Sequence, residues 1–173
     1  MDLEALRTTA LGFVETHKAW APLFAGVGAF CESIAFLSLL VPATVILVGI
    51  GAIVGAADIA LWPVVLAAGT GAGLGDWLSY AFGRHYGDSV RRMWPMRNYP
   101  DMVARGEAFL ARWGAASVAL GRFVGPARAV VPLIAGTFGV RPLPFQVANW
   151  TSGYVWAFVL LAPGAGLLTW FRG

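Results

Sequence analysis

Charged residues are almost absent from two long apolar segments of this chain, and this absence limits what the chain can fold into. Between residues 19 and 57 the only charged residue is Glu32, and between 59 and 83 it is Asp76. Charged residues make up 12% of the whole chain, against roughly 25% in soluble domains. So little polar surface cannot cover a soluble core of this size. The sequence therefore predicts an all-α integral membrane protein, and its length fits one compact domain.

Composition divides the chain into four segments. Residues 1–18 carry apolar residues at helical spacing between charges, which predicts an amphipathic N-terminal helix at the membrane interface. Residues 19–83 and 108–173 form two apolar halves. Residues 84–107 contain five arginines, which predicts a cytoplasmic basic connector under the positive-inside rule. The second half ends in an uncharged stretch whose aromatic residues are predicted to lie in interfacial belts, namely Trp150, Tyr154, Trp156 and Trp170.

Several classes of function find no support in the sequence. The net charge of +3 includes no long basic run, so nucleic-acid binding is not indicated. Cys31 is the only cysteine, which excludes an intramolecular disulfide and a cysteine-based metal site. No nucleophile, base and orienting group stand in a recognisable arrangement. We therefore expect no enzymatic activity, no cofactor and no metal.

The two apolar halves share a weak internal repeat with an offset of 84 residues. At that offset "VPATVILVGIGAIVG" (41–55) aligns with "GPARAVVPLIAGTFG" (125–139), so that Pro42 matches Pro126. Matching proline-interrupted segments are the sequence feature that best indicates a transporter site. Irregular backbone survives in a membrane only inside protein or against a water-filled cavity. Pro126, after Gly125, fits the first position of a new short helix. We infer a re-entrant hairpin at this break, and a counterpart that begins at Pro42.

Two arginines and two carboxylates are the candidate site residues. Arg122 and Arg128 flank the break at Gly125, and a turn there would let both point into one cavity as a phosphate or anion site. Glu32 is either a proton carrier or a permanent ion-pair partner of these arginines, because burial and a nearby arginine act oppositely on a carboxyl group. Asp76 either joins them or lies near the membrane interface.

These residues resemble the motifs of the DedA family of bacterial inner-membrane proteins, whose shared domain also occurs in eukaryotic lipid scramblases. The late motif is similar to "GRFVGPARAVVPLIAG" (121–136), and the middle motif to "GAGLGDWLSYAFGRHYG" (71–87). The early motif, an acidic residue about ten positions before a proline, matches Glu32 and Pro42. Two departures stand out. Thr44 replaces an acidic residue that many members carry, and members commonly continue with another helix beyond the point where this sequence stops.

The resemblance implies a small helical bundle with two opposed re-entrant hairpins, related as an inverted repeat. It also implies a multi-pass protein of the bacterial inner membrane that moves lipids. It implies in particular the return of undecaprenyl phosphate, the lipid carrier of cell-wall precursors, with dependence on the proton motive force. Arg122 and Arg128 would then bind the phosphate, with a membrane lipid and protons as partners. A non-selective phospholipid scramblase, a proton-coupled small-ion transporter or antiporter, and a non-transporting scaffold are the alternatives. The sequence leaves the lipid, the direction of transport and homo-oligomerisation open.

Overall fold

The computed structural model describes residues 18–34, 43–56, 59–92, 96–98, 100–124 and 127–166. Over these ranges the chain is helical and contains no β-strand, which confirms the predicted all-α class. The amphipathic helix predicted at 1–18 falls outside the described residues except for Lys18. Pro42, Gly125 and Pro126 also fall outside them.

Seven α-helices make up the described part of the chain. They are α1 (Ala21–Ser33), α2 (Ala43–Ala56), α3 (Leu61–Arg92), α4 (Pro100–Trp113), α5 (Ala116–Arg122), α6 (Ala127–Thr137) and α7 (Pro142–Leu161). Short 3₁₀ turns lie at Lys18–Trp20 and Met96–Asn98. A proline stands in the first turn of both α1 and α7, where its missing N–H has no intrahelical partner to lose.

Helix α3 is the longest of these helices, with 32 residues. It continues past Gly83 to Arg92, so the connector predicted at 84–107 begins as a continuation of this helix. A kink occurs at Gly87, where φ is +33°. Of the helices in the described ranges, none is both long enough and apolar enough to qualify as a membrane-crossing segment.

Helix α3 also lies at the centre of the packing, in contact with α1, α6 and α7. Apolar side chains on these helices form two separate cores. The first core joins α1, α2, α3 and α7, and its buried residues include Ala72 and Trp156. The second joins α3 to α4, α5, α6 and α7, and it includes Tyr80 and Phe145. Positions 73–79 of α3 and 146–155 of α7 therefore run between the two cores.

The 84-residue offset found in the sequence recurs in the tertiary packing. Gly136 of α6 packs against the backbone of Tyr80 in α3, and Gly164 packs against the backbone of Ala52 in α2. Ala52 and Gly136 are 84 positions apart, and so are Tyr80 and Gly164. A shift of 84 positions therefore converts the contact between α6 and α3 into the contact between α2 and Gly164, which lies just beyond α7. At both places the backbones are so close that only glycine fits without a shift.

Candidate functional site

The four charged residues selected from the sequence form two buried ion pairs between the apolar cores. Asp76 of α3 pairs with Arg122 of α5, and Glu32 of α1 pairs with Arg128 of α6. Glu32, Asp76 and Arg122 are each exposed by 5% or less. Such burial of charge is stable only when each group is paired and hydrogen-bonded. The structure places these residues together in the interior of the protein, and Asp76 is buried among the helices.

The two pairs belong to one cluster. Arg128 lies close enough to Asp76 and Arg122 to act on both electrostatically. Ser33, next to Glu32 in the chain, packs against Gly75, the neighbour of Asp76. The Ser79 hydroxyl in turn donates to the Ser33 carbonyl oxygen over 3.3 Å. Two carboxylates and two guanidinium groups give the cluster a net charge of zero.

Arg122 is held by partners on two helices. Its Nη2 donates to Asp76 Oδ2 and, over 2.7 Å, to Asn149 Oδ1. Its Nε donates to Ser152 Oγ over 3.1 Å. Ser152 donates its own proton to the Asn149 carbonyl oxygen over 3.2 Å. Helices α3 and α7 therefore fix the orientation of this guanidinium group.

Arg128 has a different environment. Its Nη2 lies 2.7 Å from Glu32 Oε1, but this nitrogen makes no hydrogen bond of good geometry within the described residues. Its Cζ lies 4.7 Å from the ring centroid of Trp156 in α7, a cation–π contact. The Arg128 side chain is 13% exposed, against 5% for that of Arg122. Arg128 is thus the less firmly held of the two arginines.

Helix α6 places Arg128 in its first turn, since the helix begins at Ala127. A helix N-terminus carries partial positive charge, so a cation there is unfavourable without an anion. Glu32 supplies that anion from α1. A phosphate group would satisfy the same requirement, because helix N-termini and arginine side chains both bind phosphate.

Three site residues escaped the sequence analysis, all on one face of α7. Asn149 and Ser152 bind Arg122, and Trp156 lies under Arg128. The spacing of these positions, i, i+3 and i+7, is a helical stripe, and polar residues in an uncharged segment were the available signal. The assignment of Trp156 to an interfacial belt is wrong, because this side chain is only 4% exposed. It is buried since its ring packs on an interior guanidinium group.

The remaining predicted positions lie wholly or partly outside the described part of the structure. Thr44 lies in the first turn of α2, but its side chain falls outside the described part of the structure. The predicted breaks at Pro42, Gly125 and Pro126 lie outside it too, although α2 and α6 begin directly after Pro42 and Pro126. No group of three or more potential metal-ligating side chains occurs among the described residues.

Comparison with known proteins gives one family match. Residues 41–166 match the model of the VTT domain. Inner membrane protein YabI of Escherichia coli is 30% identical over 152 residues, covering 88% of this chain and 60% of the relative. Inner membrane protein YqjA of the same species is 27% identical over 136 residues, covering 78% of this chain and 62% of the relative. An uncharacterized membrane protein of Buchnera aphidicola, BU139, is 25% identical over 152 residues, 88% of this chain and 59% of the relative.

The chain thus spans about three fifths of the length of the curated relatives it matches. Their names support an inner-membrane location for this protein. No solved structure matches the chain.

Proposed function

This chain belongs to the VTT-domain family, the family of the DedA inner-membrane proteins, and from that premise we propose that it transports a lipid phosphate. The substrate proposed is a polyprenyl phosphate, with undecaprenyl phosphate as the specific lipid, moved across the bacterial inner membrane by a multi-pass fold. Arg128 binds the phosphate group, and the apolar tail stays in the hydrocarbon phase of the bilayer.

The single observation that carries this proposal is the inequality of the two buried arginines. Arg122 has three side-chain partners, Asp76, Asn149 and Ser152. Arg128 has an ion pair with Glu32 and a stacking contact, and it is the more exposed of the two. A ligand phosphate can replace one carboxylate at Arg128, whereas at Arg122 it would have to break a hydrogen-bonded network. The proposed phosphate site therefore contains one arginine, Arg128, and not the two arginines expected from the sequence.

Charge balance links phosphate binding to a proton. A phosphate that pairs with Arg128 displaces Glu32 and adds negative charge to a cluster whose net charge is zero. Loss of its arginine partner favours the protonated form of a buried carboxyl group, so Glu32 takes up a proton as the phosphate arrives. Release of the phosphate reverses both steps. This linkage gives the proton motive force a route by which to drive transport.

The alternatives predict different fluxes. A non-selective scramblase would move zwitterionic phospholipid as fast as polyprenyl phosphate and would gain nothing from a pH gradient. A proton-coupled ion transporter would show an ion flux that depends on Glu32, without lipid movement.

The test is transport in proteoliposomes with and without an imposed pH gradient. We expect the full chain to move a fluorescent short-chain polyprenyl phosphate faster than a fluorescent phosphatidylcholine, and faster still with the gradient. Arg128→Ala should abolish the excess flux of polyprenyl phosphate. Arg105→Ala, which removes an exposed arginine of α4, is the matched control and should transport like wild type. Equal fluxes of the two lipids, or undiminished polyprenyl phosphate flux in folded Arg128→Ala protein, would refute the proposal.

A further inference from the structure

We propose that Asn149 is a positioning residue that commits Arg122 to Asp76, so that Arg128 alone of the two buried arginines meets the substrate phosphate. This inference rests on the proposed function. It assigns a role in substrate handling to a neutral side chain of α7 that lies between the two apolar cores.

Chemistry fixes the orientation of the Asn149 amide. A guanidinium group only donates hydrogen bonds and a carbonyl oxygen only accepts them. Asn149 Oδ1 therefore accepts from Arg122 Nη2 over 2.7 Å, and Asn149 Nδ2 donates to the Gly73 carbonyl oxygen of α3 over 2.9 Å. Asn149 is fully buried. Its amide cannot turn over without placing Nδ2 against the guanidinium group and Oδ1 against the carbonyl.

These contacts occupy two of the three nitrogen atoms of the Arg122 guanidinium group. Nη2 carries two hydrogens, and its acceptors are Asp76 Oδ2, Asn149 Oδ1 and, over a longer 3.4 Å, the Asn149 carbonyl oxygen. Nε is occupied by Ser152 Oγ, whose own proton goes to the Asn149 carbonyl oxygen. Asn149 thus holds Arg122 directly through its side chain and indirectly by orienting Ser152.

Loss of the Asn149 amide would remove one of the hydrogen bonds that fix the Arg122 guanidinium group. Arg122 would keep its ion pair with Asp76, but its Nη2 would lose the 2.7 Å bond to Asn149 Oδ1 and keep only the longer contact of 3.4 Å to the main-chain carbonyl oxygen. A phosphate bound at Arg128 could then be shared by two guanidinium groups, which bind phosphate more tightly than one. Tighter binding of the phosphate slows its release. The apparent affinity should therefore rise while the maximal rate falls.

The experiment measures the half-saturation concentration and the maximal rate of short-chain polyprenyl phosphate transport in proteoliposomes. For Asn149→Ala we expect the half-saturation concentration to fall by about tenfold, the effect of one hydrogen bond to a charged group. The maximal rate per folded molecule should also fall. Asn149→Asp keeps an acceptor for Arg122 Nη2, so its half-saturation concentration should not fall. Thr151→Ala is the matched control, since the exposed Thr151 hydroxyl bonds only to backbone carbonyls of its own helix.

A merely structural role for Asn149 would lower the yield of folded protein but leave the half-saturation concentration of the folded fraction unchanged, and that result would overturn the inference. So would an equal fall in half-saturation concentration for Asn149→Asp. If wild-type protein moves no polyprenyl phosphate, the proposed function fails, and a thermal-unfolding cycle in detergent tests the positioning role separately. The effects of Asp76→Asn and Asn149→Ala on unfolding should then be non-additive. Additive effects would contradict the proposal that Asn149 holds Arg122 in its ion pair with Asp76.

Discussion

Asp76 and Arg122 are 46 positions apart in the sequence and form an ion pair that links α3 to α5 in the protein interior. Both residues lie between the two apolar cores, and both are almost completely shielded from solvent. This ion pair forms one half of a neutral cluster of four charges, and the Glu32–Arg128 ion pair forms the other half. The difference between the two halves, one firmly held and one less so, is the basis of the proposed function.

Removing one member of the Asp76–Arg122 pair should strongly destabilise the fold. Arg122→Ala and Asp76→Ala should each lower the free energy of unfolding by about 3–5 kcal/mol, because each leaves an uncompensated buried charge. The double variant Asp76→Leu/Arg122→Met should lose less than either single variant. Thermal unfolding in detergent measures all three. Single variants as stable as wild type would show that the pair is solvated rather than buried.

Trp156 should support phosphate binding through its contact with Arg128. Trp156→Leu removes the ring from beneath the guanidinium group, an interaction of about 0.5–2 kcal/mol, and should raise the half-saturation concentration for polyprenyl phosphate. Trp156→Phe keeps a ring and should fall between this variant and wild type. Trp77→Leu is the control, because Trp77 is 50% exposed on α3. A half-saturation concentration unaffected by Trp156→Leu would argue against a role for the ring.

Gly73 should be intolerant of any side chain. A Cβ on Gly73 would lie 2.6 Å from ring atoms of Trp150, so Gly73→Ala forces α3 and α7 apart and disturbs the bond from Asn149 to the Gly73 carbonyl oxygen. Overpacking of this kind costs about 1–3 kcal/mol. Gly28→Ala in α1 meets nothing within 4 Å and should be stabilising by about 0.5–1 kcal/mol. Thermal unfolding that ranks Gly73→Ala at or above Gly28→Ala would contradict this packing.

The two contacts related by the 84-residue offset should respond alike to substitution. Gly136→Ala and Gly164→Ala each place a methyl group against backbone atoms of the facing segment, so each should lower the unfolding temperature clearly and by a similar amount. Gly49→Ala in α2, with no atom within 4 Å of the added methyl group, serves as the control. Tolerance of one substitution but not the other would mean that the two contacts are not equivalent.

Much of the architecture follows from local features of the sequence. Long apolar runs predict helices, and such runs are helical in the described part of the chain. Isolated charges in apolar surroundings predict an interior site, because a charge there needs a partner. These features made the all-α class accessible from the sequence, and the resemblance of its motifs identified the family. The isolated charges pointed to Glu32, Asp76, Arg122 and Arg128, which the structure brings together.

The pairing within the site was not accessible. Two carboxylates and two arginines allow more than one pairing, and the choice depends on how α1 and α3 lie against α5 and α6, which is a property of tertiary packing. Asn149 and Ser152 carry no charge, so their position in an uncharged segment marked them only as polar residues and did not identify them as partners of Arg122. Trp156 was assigned to the interface because tryptophan is common there, but a cation–π contact draws it into the interior.

Direct binding of a short-chain polyprenyl phosphate to the detergent-solubilised chain tests the role of Arg128 most sharply. A ligand that binds the folded state raises the unfolding temperature by mass action. The unfolding temperature should rise with ligand concentration for wild type and for Arg105→Gln, and should stay constant for folded Arg128→Gln. An equal rise for Arg128→Gln would contradict the assignment of the phosphate to Arg128.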